Sequence, residues 1–531
     1  MQLAGLFLPL MAVVGLVSSR GAAPAVTNPT RIGNGGDAAT TLSVVPSQDT
    51  VKQEDVSVLW LQLDEAPLWP LLRSDGTINP ARFPGFAALA AASTWFRNAL
   101  SVSNYTVAAV PSGLTGTWSR PRALPVAGNY PHNLFTMMNG KRALDVSESV
   151  AALCPRDVCT ASVVPAVRNS ITAWEKGGAR TQVRYVTDMI ERAVAATEPT
   201  VHYAHVLLPH RPWQLTPDMR TTRFVTTDKR AATVEDRVRD EYQAFLAQYM
   251  ATDRIILDLV KSLRASANWD RTMIIVTADH GLAFEPGESK RKEINKKRVD
   301  TLDEIYRVPL FVKFPGQASG DISDCAAQTF DVLPMVAEAT GVPVTWKIEG
   351  ESQRTHCRTA ASRRITWYNG ETRLTGGFGE TLKRVERFAA WVDPDGSVDG
   401  VARPAGYEKW FEATVPTDGT APADEQVSGW TLRDRELFAS METRPFAMVP
   451  LQVDGTIDSR TTVDPGAVGL VVMDGKVVAV VPELGGMRAG TNPWRSILLP
   501  SSLTAGRHDP VLWVARGTPA APELTLVGTP G

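Results

Sequence analysis

An excess of either charge is missing from this chain: 55 Lys and Arg stand against 57 Asp and Glu in 531 residues, a net charge of −2. That balance gives no whole-chain argument for a nucleic-acid or other polyanionic partner. Cysteine is scarce, with four residues and no CxxC pair, so a structural zinc site on thiolates is not expected. No repeat of fixed period is present. Long apolar runs are lacking as well, with one exception at residues 3–19, LAGLFLPLMAVVGLVSS, which carry no charge. The run falls short of the ~20 residues of a membrane helix. Followed by Arg20 and the small residues GAAPA, it also fits a signal-peptide core, although a basic leader is absent; a buried helix is the third reading. Residues 1–20 are therefore expected to be a membrane anchor or signal segment, with the rest of the chain outside the cytoplasm, and 21–50 a linker rich in Ala, Gly, Thr and Asn.

What is present is an ordinary globular composition, 44% hydrophobic and 21% charged, enough to bury a large core. Cys154 and Cys159 lie close together in LCPRDVC, and Cys325 and Cys357 flank a helix-like segment, FDVLPMVAEATG. Pairings 154–159 and 325–357 suit an oxidising compartment; four reduced, partly buried thiols are the alternative. One local basic run, KRKEINKK followed by Arg298, stands out, and such a run most often forms a solvated face.

From Val51 to about residue 355 strand-like and helix-like stretches alternate. SVLWLQL, VHYAHVLL, TMIIVTA and VPLFVKF read as strands. FPGFAALAAASTWFRNAL reads as a helix, as does Val234–Arg264, whose apolar residues recur at helical spacing. Near-continuous apolar strands between helices predict a mostly parallel α/β sheet covered on both faces. Beyond about residue 360 helical periodicity fades, and LVVM-DG-KVVAVV is a hairpin signature with Asp474-Gly475 in its turn. ILLPSSL and DPVLWVAR continue the strand pattern, so residues 380–531 are expected to form a smaller, sandwich-like β-rich domain.

Two apolar strands end in ionisable groups. SVLWLQL runs into Asp64-Glu65, and TMIIVTA runs into Asp279-His280 and a glycine. Carboxylates are costly to desolvate unless paired, and ligands of open parallel sheets bind at the carboxyl ends of the strands. Either the strands simply surface there, or a cation is held between them; recurrence on two strands favours a divalent metal.

The motifs WLQLDE, NYTVAAVPSGLTG, LLPHRPW, VTADHG and YRVPLFVKFPG occur in that order between about residues 55 and 350. In this the chain resembles the sulfatase-like branch of the alkaline phosphatase superfamily, which includes sulfatases, lipoteichoic acid synthases and phosphoethanolamine transferases. The resemblance implies an alkaline-phosphatase-like α/β fold and assigns Asp64 as the first metal-binding acid and Asp279 with His280 as the later metal pair. Glu65 falls where many sulfatases have a second metal acid and the transferases use none. Thr106, nine residues before Thr115-Gly116, falls at the nucleophile and would also touch the metal; a second register, on Pro111-Ser112, would put Ala109 there, and alanine cannot attack. His210 matches a histidine that faces the substrate anion, Arg291 or a neighbour in the basic run would help hold that anion, and His202 and His205 are read as strand residues with satisfied nitrogens.

One departure matters. Sulfatases carry a Cys or Ser that is converted to formylglycine, whereas Thr106 followed by VAAV stands here. Threonine is the nucleophile of the superfamily's phosphotransferases and phosphodiesterases. The resemblance thus implies a metal-dependent hydrolase or transferase acting on a phosphodiester or phosphoglycerol-type lipid or glycan, with sulfuric ester hydrolysis, and a non-catalytic metal-binding envelope protein, as the alternatives. One divalent ion is expected, manganese or zinc before magnesium or calcium because a histidine is among the ligands.

Overall fold

The computed structural model describes residues 51–120, 122–159, 170–224, 234–285, 299–367, 370–416 and 421–531. The N-terminal apolar run and the linker lie outside the described residues. Seven strands make the central sheet: β1 (Ser57–Asp64), β2 (Thr94–Phe96), β3 (Ala143–Ser147), β4 (Thr200–Pro209), β5 (Thr272–Ala278), β6 (Leu310–Lys313) and β7 (Asp321–Ser323), in the order β3-β4-β1-β5-β6-β2-β7. β1 runs parallel to β4 and β5, β4 to β3, and β2 to β7. β6 alone is antiparallel to its neighbours.

Along β1 the side chains divide between two cores. Leu59, Leu61 and Leu63 join the larger cluster, while Val58 and Trp60 join a second one on the opposite face. This accounts for a strand that is apolar at almost every position: both faces are covered. Among the described residues eight helices accompany the sheet: α1 (Pro84–Ala90), α2 (Thr106–Thr115), α3 (Leu134–Met138), α4 (Ser170–Ala195), α5 (Val234–Arg264), α6 (Val299–Tyr306), α7 (Val332–Thr340) and α8 (Phe378–Phe388). α5 buries Tyr242, Phe245, Tyr249 and Ile256 in the larger core, and α2 places Val110 and Leu114 in the second.

Three sequence expectations differ from the structure. The helix expected over residues 83–100 stops at Ala90, because Thr94, Trp95 and Phe96 pair with β6 and β7 as a short strand. Here a β-branched and two aromatic residues in a buried edge outweigh the alanine-rich approach. A helix beyond residue 360 was not expected, yet α8 forms and packs Val385 and Phe388 inward. ILLPSSL is not a strand: the strand there ends at Ile497, and Pro500–Ser502 form a 3-10 turn.

After α7 come the hairpin β8 (Ser362–Trp367) and β9 (Gly370–Thr375), then β10 (Val427–Trp430), β11 (Gln452–Ser459), β12 (Val468–Met473), β13 (Lys476–Val481), β14 (Gly490–Ile497), β15 (Val511–Thr518) and β16 (Ala521–Gly528). The hairpin β8-β9 is a two-stranded sheet of its own, and β10 to β16 form two further antiparallel sheets, β10-β11-β14 and β13-β12-β15-β16. Asp474 and Gly475, with φ of 52° and 76°, make the expected tight turn between β12 and β13. Val427, Trp494 and Val514 from these sheets belong to the same apolar cluster as Leu61 and Tyr242, so the β-rich region shares a core with the α/β part. Both cysteine pairs are joined, Cys154–Cys159 and Cys325–Cys357. Among the described residues no helix is long and apolar enough to cross a membrane.

Candidate active site at the carboxyl ends of β1, β4 and β5

Parallel pairing sets the level at which each strand delivers its last residues. Gln62 pairs with His205, and Leu63 with Ala278. The backbone N–H of Asp279 donates to Leu63 O at 2.9 Å, so Asp64 and Asp279 leave the sheet side by side. Both are buried, at 0% and 1% exposure. One ligand atom each from Asp64, His205 and Asp279 lie within 4.8 Å of one another, the group among the described residues that could hold a metal ion.

α2 brings the hydroxyl. Its first residue is Thr106, its last Thr115, and Gly116 caps it in the left-handed region at φ 69°. A Cβ on that glycine would also press on Ile348 and Leu333 at 3.1–3.2 Å. The nine-residue spacing from Thr106 to the Thr-Gly pair is therefore the length of one helix, with the hydroxyl at its positive end. Thr106 Oγ1 donates to Asp64 Oδ2 at 3.4 Å and lies 3.4 Å from His280 Nε2. Ala109, three residues into the helix, carries no group that can react.

His280 is fixed from behind. Its Nδ1 faces the carbonyl of Gly281 at 2.9 Å, which holds the proton on that nitrogen and turns Nε2 toward Thr106 and Asp279, 3.5 Å from Asp279 Oδ2. Asp279 Oδ1 accepts from the His280 N–H at 2.6 Å and the Glu65 N–H at 3.3 Å.

Glu65 lies outside the mutually close set. The β1–β4 ladder is irregular after Leu63, and Glu65 sits at φ 58°, a conformation costing about 1–2 kcal/mol for a non-glycine residue. Its Oε1 stands 3.6 Å from His210 Nε2, and its Oε2 accepts from the Arg211 N–H at 3.4 Å. His210 Nδ1 faces Arg211 O, so both ring nitrogens meet acceptors. Arg291 and the basic run lie outside the described residues.

The strand histidines divide. His202 Nδ1 is 2.8 Å from Asp145 Oδ2, as expected of a structural histidine. His205 differs from the expectation of satisfied nitrogens: it is 0% exposed, neither nitrogen has a hydrogen-bond partner, and Nε2 lies 3.8 Å from Asp64 Oδ2. Burial, with the charge of His210 second, pushes its pKa down to about 3, which keeps the ring neutral and its lone pair available. A neutral imidazole grouped with two buried carboxylates is a donor set that suits a divalent transition metal. The residues that fit such an ion are Asp64, His205 and Asp279, with His280 and Thr106 beside them.

A family model described as Sulfatase matches residues 73–342, about half of the chain. That stretch contains Thr106, His205, His210, Asp279 and His280, and begins after Asp64. Ulvan-active sulfatase of Formosa agariphila is 25% identical over 185 residues, covering 34% of this chain and 35% of that protein. Arylsulfatase K of Danio rerio is 25% identical over 156 residues, 29% of this chain and 28% of that one. The matches span about a third of the length of these curated relatives. Among solved structures, the phosphonate monoester hydrolase SpPMH from Silicibacter pomeroyi aligns at a TM-score of 0.42 and 16% identity, over 58% of this chain and 79% of that one. On the family match, and on an α/β sheet that gathers the expected acids, threonine and histidines at its carboxyl edge, this chain belongs to the sulfatase family.

Proposed function

We propose that the protein is a metal-dependent hydrolase or transferase of an anionic ester, and that Thr106 is its nucleophile. The observation that carries this reading is the placement of Thr106 Oγ1 at 3.4 Å from both Asp64 Oδ2 and His280 Nε2. A divalent ion held by Asp64, His205 and Asp279 would supply the positive charge that lowers the hydroxyl's pKa and polarises the ester oxygen. Asp64, as acceptor of the Thr106 proton, orients the oxygen for attack. The helix end beneath Thr106 stabilises negative charge gathering there. The bond formed is from Thr106 Oγ1 to the central atom of the ester, and the bond broken is to the leaving alcohol. Water or an acceptor hydroxyl then displaces the group and returns the threonine. Glu65 and the Arg211 carbonyl engage the ring of His210, which we assign to the anion's side of the cleft.

A phosphoester fits this centre best, because a threonine carries no formylglycine and a phosphothreonine can be resolved by direct attack. A sulfuric ester is the second reading, and the family match and both curated relatives favour it. An anionic lipid or glycan as substrate, and a site outside the cytoplasm, complete the proposal; the two disulfides support an oxidising compartment. Paired assays with 4-nitrophenyl sulfate and bis(4-nitrophenyl) phosphate separate the two esters. Phosphodiester turnover is expected, falling by about 10³-fold or more in Thr106→Ala while bound metal is retained. Turnover of the sulfate alone overturns the phosphoester reading, and full activity in the variant overturns the nucleophile.

A further inference from the structure

β4 ends at Pro209, and the chain makes no further bridge until Leu215 pairs with Thr221. His210 lies on the stretch between. Pro209, His210, Trp213 and Leu215 are buried, so the backbone groups of this loop need partners that neither a ladder nor bulk water supplies.

Gln248 supplies them. It sits in the middle of α5, is 0% exposed, and directs its whole amide at the loop. Nε2 donates to His210 O at 2.8 Å and to Pro209 O at 3.1 Å. Oε1 accepts from the Gln214 N–H at 2.9 Å and from the Leu215 N–H at 3.3 Å. A carboxamide has two N–H donors and an oxygen with two lone pairs, and all are engaged. A leucine or methionine would fill the same space without the desolvation that burying an amide costs; what the amide adds is a fixed course for the loop.

Neighbouring positions of α5 serve the same edge of the sheet. Tyr249 Oη donates to Pro67 O at 3.1 Å, two residues beyond Glu65, and Phe245 meets the ring of Trp213 edge-on, with centroids 6.2 Å apart. This stretch of helix therefore holds both the turn that carries Glu65 and the loop that carries His210, whose side chains meet at 3.6 Å. Beyond Leu215 the chain is held by other means: the Thr221 N–H donates to Ala447 O and the Val449 N–H to Thr221 O, each at 2.8 Å.

We infer that Gln248 is the positioning residue of His210: it fixes the backbone of Pro209 and His210 so that the imidazole stands against Glu65 on the anion's side of the cleft. The inference rests on the assignment of His210 to the substrate anion. Gln248 itself touches no substrate and acts only through that ring.

Two measurements separate position from chemistry. The chain holds seven histidines, few enough for NMR spectra of isotope-labelled imidazoles, with His210 identified by the signal lost in His210→Ala. In the zinc-loaded, full-length protein, Gln248→Glu keeps the acceptor for Gln214 and Leu215 and loses the donors to Pro209 and His210. It is expected to shift or split the His210 signal and to leave that of His508 in place. Gln248→Met, which has neither donor nor acceptor, should displace the His210 signal further. Thr221→Val loses the hydroxyl bonds to Phe446 O and Ala447 O at the far end of the loop, and should lower the Tm without moving His210. On the ester that the wild type turns over, Gln248→Glu is expected to lower kcat/KM about tenfold or more, and no further than His210→Ala does. Added to His210→Ala it should cost less than about twofold, since nothing is left for it to position. An unmoved His210 signal in both Gln248 variants, an equal displacement in Thr221→Val, or losses that multiply in the double variant would each overturn the inference. Full activity in His210→Ala, with the signal still displaced in Gln248→Glu, would count instead against the role given to His210.

Discussion

At the scale of single residues, His205 poses the sharpest question of hydrogen-bond accounting. A fully buried imidazole without a partner for either nitrogen forfeits about 1–3 kcal/mol per polar group left unmade, unless something other than a hydrogen bond occupies its lone pair. A metal ion held together with Asp64 and Asp279 would be that occupant. Replacement by alanine is therefore expected to lower affinity for manganese or zinc about tenfold or more, read as bound metal per chain and by titration calorimetry. An unchanged affinity would reduce the ring to packing. Nothing in VHYAHVLL separates His205 from His202, because both sit in an apolar strand. What separates them is which strand lies alongside: Asp145 on β3 reaches His202, while the β1 register sets His205 opposite Gln62, two residues before Asp64. That register is a contact across more than 140 positions of chain, beyond the reach of local pattern. Asp64, Asp279 and His280 stand out in the sequence because each follows the end of an apolar run, whereas Thr106 is singled out only by the family resemblance, its nine-residue spacing to Thr115-Gly116 being the length of α2. The turn of Glu65 toward His210 follows from a positive φ that the sequence does not announce.

At the scale of elements, α6 carries a buried acid whose titration has a predictable sign. Glu304 Oε2 accepts from the Phe284 N–H at 3.0 Å, and Oε1 lies 3.7 Å from Arg384 Nη1. Burial outweighs these contacts and raises its pKa from 4.5 to about 8. Folded protein therefore keeps a proton that the unfolded chain has released, over the window from about 4.5 to about 8. The stability this group contributes is whole below that window and is lost as pH rises through it. Glu304→Gln retains an acceptor for Phe284 and has no proton to lose. Its Tm relative to the wild type is expected to rise between pH 5 and pH 8 by about 2 °C or more; a constant difference would show that the acid is ionised throughout. The elements themselves were read best where they are long or buried on both sides. β1, β4, β5 and α5 match their apolar stretches, whereas β2 hides behind alanines and α8 behind charged residues, each formed by partners distant in sequence.

At the scale of the whole molecule, the site joins elements that have little else in common. Asp64 closes β1, His205 lies on β4, Asp279 follows β5, and Thr106 opens α2. Such a set does not persist in an unfolded chain, so an ion that binds it favours the folded state by RT ln(1 + [L]/Kd), about 2.7 kcal/mol at a hundredfold excess over Kd. The shared core carries that effect widely, since Leu61 and Leu63 of β1 belong to the same apolar cluster as Trp494 and Val514 of the C-terminal sheets. Loosening at the carboxyl edge should therefore lower a single transition and not only melt the cleft. Protein stripped with chelator is expected to unfold at a Tm several degrees lower than protein supplied with manganese or zinc. The gain should grow with the logarithm of free metal and shrink in Asp279→Asn. Scans with manganese, zinc, magnesium and calcium at matched concentrations rank the ions, and the imidazole in the donor set predicts the first two ahead of the others. Identical transitions in chelator and in every metal would mean that the buried acids hold no ion, and the chemistry assigned to Thr106 would then lack its source of positive charge.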